Sequence, residues 1–422
     1  MSLVEGVSSA GGDSAGGRIS SGGGDSTVMH KDIMSAFDSL TSFLRQNSIA
    51  VPVTSGSKEM QSKLGLPLAI DAVEPLSSSL RYSELFPPEA HPLLGGKKKA
   101  SGGGNKAAGV TTGPPILVQV RFEGNSKWPN DVKAISAAKC ALLIQLAEGI
   151  ETMKRNGASE CVAFDGPIHV MPSYMDVGYL GYSWRIMIRA DQELKLLNSL
   201  RKPTLEAVEL RRVLAKRHIS SALHHSTVHS VNTQYPSAGL TMRLAMRWVH
   251  SHMLSGLLPQ EAVEILVGKV FVDAQPLEPP ATAMSGFLRF LRLLSSHGWA
   301  RQPLIFDPQG SLTAEDYARV QSDFLAVRGE EYNNGPPMFL ITLGCVRSAD
   351  AQPSPGLPGS INRQNDNCIP TFTRENPEQV VLSRLVALAK RSELFLLDLL
   401  VKGEPIRLDG NNSWASAFHE NV

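Results

Sequence analysis

Residues 235–306 constrain the fold most. They read YPSAGLTMRLAMRWVHSHML, then PQEAVEILVGKVFV and, after a proline-rich break, SGFLRFLRLLSSHGWARQPLIF. Apolar residues recur three and four apart, which predicts three helices with buried stripes. Arginine and tryptophan sit inside those stripes. Arg243 and Arg247 are one turn apart beside Trp248, and Arg289 and Arg292 stand i, i+3 beside Phe287, Phe290 and Leu291. Pairs at these spacings share a helix face.

The rest of the chain divides around that helical block. Residues 1–27 are rich in glycine and serine and bury nothing, so they are expected to be a disordered tail. DIMSAFDSLTSFLRQ carries Ile33, Phe37, Leu40 and Leu44 at helical spacing. Residues 68–73 read as a strand. Residues 87–115 read as a flexible insertion whose Lys97, Lys98 and Lys99 run is a solvated loop. ILVQVRF (residues 116–122) is a strand, and Asn130 or Asp131 caps a helix with Val132, Ile135, Leu142, Leu146 and Ile150 on its buried face. Strands follow over 161–170 and 181–190. The sum is a mixed α/β unit over 28–232, then a mainly helical unit over 233–402. The latter carries a strand at 338–343, a polar loop at 350–370 and a last helix at 377–401. A tail follows over 403–422.

Composition narrows the function classes. Apolar residues make up 42% and charged residues 19%, ordinary for a globular chain, and the net charge is +1. No global field draws in nucleic acid, so any RNA contact must be a local patch. Residues 201–250 hold eight lysines and arginines against two acids. Arg211, Arg212, Lys216, Arg217, Arg243 and Arg247 are therefore the candidate phosphate-contacting residues; a solvated helix face is the plainer alternative. No RNP1-like run or KH-type GXXG loop indicates base-specific readout. Four scattered cysteines form no CxxC pair, which fits a reducing compartment and no metal site. No apolar run reaches the ~18–20 residues a membrane span needs. Trp128, Trp248 and Cys140 read as core. His218, His224, His225 and His229 read as a surface cluster; His225 and His229 have a metal-compatible i, i+4 spacing but lack a third ligand.

Four ordered segments carry a resemblance. They are LRYSELFPPEAHPL (80–93), VRFEGNSKWPNDVKAI (120–135), YPSAGLTMRLAMRWVHSHMLSG and GFLRFLRLLSSHGWARQPLIF. The chain resembles the nucleolar RNA-associated protein (Nrap) family, specifically its fourth module over about 28–232 and its fifth over about 233–402. The earlier and final modules have no counterpart here, and residues 350–374 depart from the pattern. The resemblance implies an α+β architecture: a degenerate nucleotidyltransferase-like α/β domain followed by a mainly helical poly(A)-polymerase/oligoadenylate-synthetase-like domain. It implies a non-catalytic scaffold of the small-subunit processome in the nucleolus of the nucleus, acting in ribosomal RNA processing and small-subunit biogenesis. Fungal members are also linked to tRNA export. The implied partners are the ribosomal RNA precursor, small nucleolar ribonucleoprotein and other processome proteins, with no membrane and no cofactor.

The nucleotidyltransferase layout can be tested on its own chemistry. Two divalent cations roughly 3.5–4 Å apart need clustered carboxylates. After Gly56 and Ser57 the nearest candidate pair is Asp71 and Glu74, which strand alternation points to opposite faces. The strand IMIRA offers no third carboxylate before Asp191. The sequence therefore predicts no catalytic residue and no enzyme. The alternatives are an active RNA nucleotidyltransferase, or a protein–protein adaptor without direct RNA contact.

Overall fold

A computed structural model describes residues 26–52, 60–91, 114–124, 128–164, 166–200, 203–329, 334–350 and 368–402. The expected glycine/serine tail, the core of the insertion, Gly56, Ser57, the lysine run, the polar loop beyond Asp350 and the final tail lie outside these residues.

The first unit is built on a five-stranded sheet in the order β3-β4-β7-β6-β5. Its strands are β3 (Ile70–Pro75), β4 (Ile116–Phe122), β5 (His169–Met171), β6 (Tyr174–Tyr179) and β7 (Tyr182–Arg189). Only β4 and β7 run parallel. A separate two-stranded pair is formed by β1 (Ala50–Pro52) and β2 (Met60–Ser62). Helix α1 (Ser26–Ser48) packs Ile33, Phe37, Leu40 and Leu44 into the sheet's core, as their spacing predicts. Helix α2 (Val132–Arg155) starts where Asp131 accepts a hydrogen bond from the Ala134 amide at 2.9 Å. It buries Ile135, Leu142, Leu146 and Ile150. Cys140 differs from expectation: it is half-buried on the side of α2, not in the core.

The strand expected over 161–170 is not one strand. A 3-10 turn (Ser159–Cys161), a lone bridge from Phe164 to Tyr179 and the short β5 replace it. Gly166 at φ 87° turns the chain, and Pro167 has no amide hydrogen to add to a ladder. Strand β6 pairs with β7 through a turn at Leu180 and Gly181, both at positive φ (52° and 82°), which matches the strand twist.

Helix α3 (Asp191–Ser199) and helix α4 (Leu205–Ala215) close the first unit; Leu194, Leu197 and Leu214 form their contact. Helix α4 continues through a single π turn (Lys216–Ser220), in which the Ser221 amide reaches the Lys216 carbonyl, into α5 (Ser221–Gln234). Val228 and Val231 of α5 belong to the second core.

That second core gathers α6 (Ala238–Ser251), α7 (Gln260–Val272), α8 (Ala283–Ser296) and the distant α11 (Gln379–Lys402). Trp248 is wholly buried and donates to Ser392 at 3.0 Å, tying α6 to α11. Trp128 is also buried, in the first core. Strands β8 (Leu304–Phe306) and β9 (Leu340–Thr342) pair in parallel, joined through α9 (Ala314–Arg328); α10 (Leu343–Asp350) follows at once. Gly268 of α7 lets β8 approach closely: a Cβ there would stand 2.6 Å from the Phe306 ring. Among the described residues no helix is long and apolar enough to cross a membrane.

Candidate polymerase-like site and basic helices

Strand β3 holds the two carboxylates that an enzyme of this layout would have to use. Residue pairing slips between Ile70 and Ala72, so Asp71 is the surplus residue of a β-bulge. The expectation of opposite faces is therefore corrected. The bulge turns Asp71 so that Arg121 of β4 reaches it at 2.7 Å and also reaches Glu74 at 3.4 Å. Glu74 further accepts from Arg189 of β7 at 3.0 Å and from Gln119 at 3.0 Å. Arg189 also grips Asp191 at 2.7 Å. Burial opposes the Arg189 charge, but Asp191 and Glu74 outweigh it and hold the guanidinium above its ordinary pKa.

The strand beside β3 is β4, not the IMIRA strand, and it contributes Gln119 and Arg121. The described residues around Asp71 and Glu74 do not make up the ligand set of a pair of divalent cations. The place beside both carboxylates is taken by guanidinium groups, and among the described residues no group of three or more His, Cys, Asp or Glu is arranged to hold a metal.

A second charged cluster joins the two units. Arg81, at the end of the 3-10 turn Ser78–Arg81, meets Glu264 of α7 at 3.2 Å; the side chains are 4% and 0% exposed. Glu264 also accepts from Ser83 and is hydrogen-bonded to His224 of α5. Asn232 donates to the Arg81 carbonyl at 2.6 Å. Burial would push the Glu264 carboxyl up, but Arg81, His224 and Ser83 hold it down at about 2. Sequence reasoning missed this cluster. Its one local signal is that Arg81 and Ser83 lie in the LRYSELFPPEAHPL segment. Glu264 is thus fully engaged within this cluster, and Asp273 at the end of α7 pairs with Lys269.

The histidines are not a surface cluster. His218 and His224 are 2% and 3% exposed. Burial, reinforced by Lys139 and Arg189, holds the His218 ring at about 3. His225 is half-buried, and only His229 of the four is exposed.

The six basic candidates fall on two helical stretches. Arg211, Arg212, Lys216 and Arg217 occupy α4 and the π turn, whereas Arg243 and Arg247 occupy α6. About 30 Å of helix separates Arg212 from the end of α5. Arg212 is paired with Glu209 and, at 2.6 Å, with Glu375. Arg217 is half-buried, and burial pushes its guanidinium below the ordinary value. Arg243 is half-buried near His30 of α1. Arg211 is half-buried, while Lys216 and Arg247 are exposed. Arg201 and Lys202 lie outside the described residues.

Comparison with known proteins follows the same division. The pattern described as Nrap protein nucleotidyltransferase domain 4 matches residues 18–233, just over half of the chain. The chain belongs to the Nrap family. The Nrap protein PAP/OAS1-like domain 5 matches residues 235–344. The Nrap match thus changes domain at 233–235, whereas the second core already takes residues from α5 and extends to α11. Nucleolar protein 6 of Xenopus tropicalis is 31% identical over 301 residues, covering 68% of this chain and 25% of that protein. U3 small nucleolar RNA-associated protein 22 of Saccharomyces cerevisiae is 26% identical over 258 residues, covering 58% and 19%. This Nrap chain spans about a quarter of the length of the curated relatives it matches. Among solved structures, terminal uridylyl transferase 4 from Trypanosoma brucei with bound UTP and UMP aligns at TM-score 0.35 and 12% identity. That alignment covers 77% of this chain and 87% of that one.

Proposed function

We propose that this chain is a non-catalytic, RNA-associated scaffold segment of the small-subunit processome, acting in ribosomal RNA processing in the nucleolus. Its two modules span 28–232 and 233–402. Its partners are the ribosomal RNA precursor with its small nucleolar ribonucleoprotein and other processome proteins. A link to tRNA export is carried only by analogy with fungal members of the family. The names of the relatives, one nucleolar and one associated with U3 small nucleolar RNA, support the setting.

The observation that carries the non-catalytic reading is Arg121 lying 2.7 Å from Asp71 and 3.4 Å from Glu74. A fixed positive charge there repels a second cation, and two-metal phosphoryl chemistry needs two. The test is primer extension with RNA, all four nucleoside triphosphates and Mg²⁺ or Mn²⁺. No added nucleotide is expected; templated or untemplated extension overturns the reading.

RNA contact rests on Arg211, Lys216, Arg243 and Arg247. Arg212 and Arg217 contribute less, because one is committed to two glutamates and the other's guanidinium is desolvated enough that its pKa falls below the ordinary value; Lys216 and Arg247 are the exposed members of the set. Those same two commitments favour a second reading, a protein–protein adaptor that never touches RNA. Binding of a ribosomal-precursor fragment against salt separates the two. A steep slope supports the scaffold that touches RNA, and its absence leaves the adaptor.

A further inference from the structure

Helix α5 and helix α1 flank a cavity of about 730 Å³ at the end of strand β3. Met34 and Phe37 of α1 and Pro75 of β3 line one side with apolar surface. Helix α5 lines the other with His225 and His229, one turn apart. Their rings are parallel within 10°, with centroids 6.3 Å apart. Serine, threonine and glutamine side chains of α5 complete the lining, and no charged side chain takes part.

That chemistry selects a kind of occupant. With no lysine or arginine in the lining, a phosphate gains nothing by entering. With no carboxylate or thiolate in the lining, a metal ion lacks a ligand set there. Apolar walls and a flat ring face suit a planar, uncharged ring, and hydroxyl and amide groups suit a ring with polar edges. His225 is neutral near pH 7, because burial, Arg81 and His229 hold it at about 3. A neutral imidazole carries no charge to set against an uncharged ring; the His225 Nδ1 itself is buried and has no hydrogen-bond partner among the described residues.

We propose that this cavity takes one unstacked base of single-stranded RNA, stacked on the His229 ring. The assignment rests on the RNA-associated reading above and gives it a contact that does not depend on phosphate. Stacking of a base on an aromatic ring tolerates any sequence, which agrees with the lack of a base-reading motif.

The test titrates the full chain with short single-stranded RNA and with an abasic oligomer of the same length and charge. It uses wild type, His229→Ala and His229→Trp. His229 is exposed, so neither variant threatens the fold, and thermal melts verify this. Wild type is expected to bind the base-bearing oligomer roughly five- to a hundredfold more tightly than the abasic one. His229→Ala is expected to erase that preference and His229→Trp to keep it. A 4-thiouridine oligomer should cross-link to residues 221–234. Equal binding of the two oligomers by wild type, or a preference untouched in His229→Ala, overturns the cavity assignment but leaves salt-dependent RNA association standing. Failure to bind any RNA overturns both. Occupancy by a tryptophan-bearing peptide with no base preference overturns the assignment in favour of a protein ligand.

Discussion

Arg81 and Glu264, 183 residues apart in sequence, meet at 3.2 Å with 4% and 0% of their side chains exposed. One belongs to the segment after β3 and the other to a helix of the second unit. Removing one partner of a buried pair leaves the other charge without solvent or counter-ion. Glu264→Ala should therefore cost about 3–5 kcal/mol. Urea denaturation checks this. The double variant Arg81→Met with Glu264→Leu should lose much less, since no orphaned charge remains. A double variant as unstable as the single would show that packing, not charge, governs the site.

Acid should weaken the fold through His218. Its folded value, about 3, lies below the usual 6.5. The unfolded chain therefore takes up the proton first as pH falls from 6.5 towards 3. Stability is full above the unfolded value and falls through that window, by about 2 kcal/mol between pH 7 and pH 5 for this ring. Lys139, Arg189, Asp191 and Arg217 face it, and the three cations outweigh the single acid. His218→Leu should flatten the pH dependence of the urea midpoint; an unchanged dependence would refute this.

Glu74 holds Arg121, Arg189 and Gln119 together. Glu74→Ala should destabilise the first unit by about 1–3 kcal/mol, because partly buried donors lose their acceptor. Glu74→Gln should lose less than Glu74→Ala. Thermal melts of the two variants beside wild type decide it, and equal loss would mean the hydrogen bonds contribute little.

The basic residues should separate by their commitments. Arg211→Ala and Arg247→Ala are each expected to lower the salt slope of RNA binding by about one. Arg212→Ala and Arg217→Ala are expected to change it much less. Anisotropy titrations across a salt series provide the readout. A patch in which all four behave alike would contradict the geometry.

These outcomes also mark what the sequence could disclose. Periodicity located α1, β4, α2 and the helices of the second core, because each puts a long apolar stripe on one face. It did not disclose β6, whose MDVGY run is short and ends in a turn at Leu180 that lacks the usual Asn-Gly. Helix α9 went unread because one of its buried positions is Arg328, whose guanidinium donates to the carbonyls of Trp299, Asn334 and Pro337. Asp71 was placed on the wrong face because a bulge breaks alternation and leaves no mark in composition. Charge counting found the basic window but not which cations were committed. The partner of Arg212 is Glu375, 163 residues away.

The π turn at Lys216–Ser220 lies between two differently seated halves of one rod. Leu214 before it faces the first unit, and Val228 and Val231 after it face the second. One residue of a helix corresponds to about 100° of rotation. Deleting a residue from that turn would leave Leu214 seated and swing the two valines to another side of the rod. One surplus residue thus sets the phase at which a single helix shows one apolar face to the first core and another to the second.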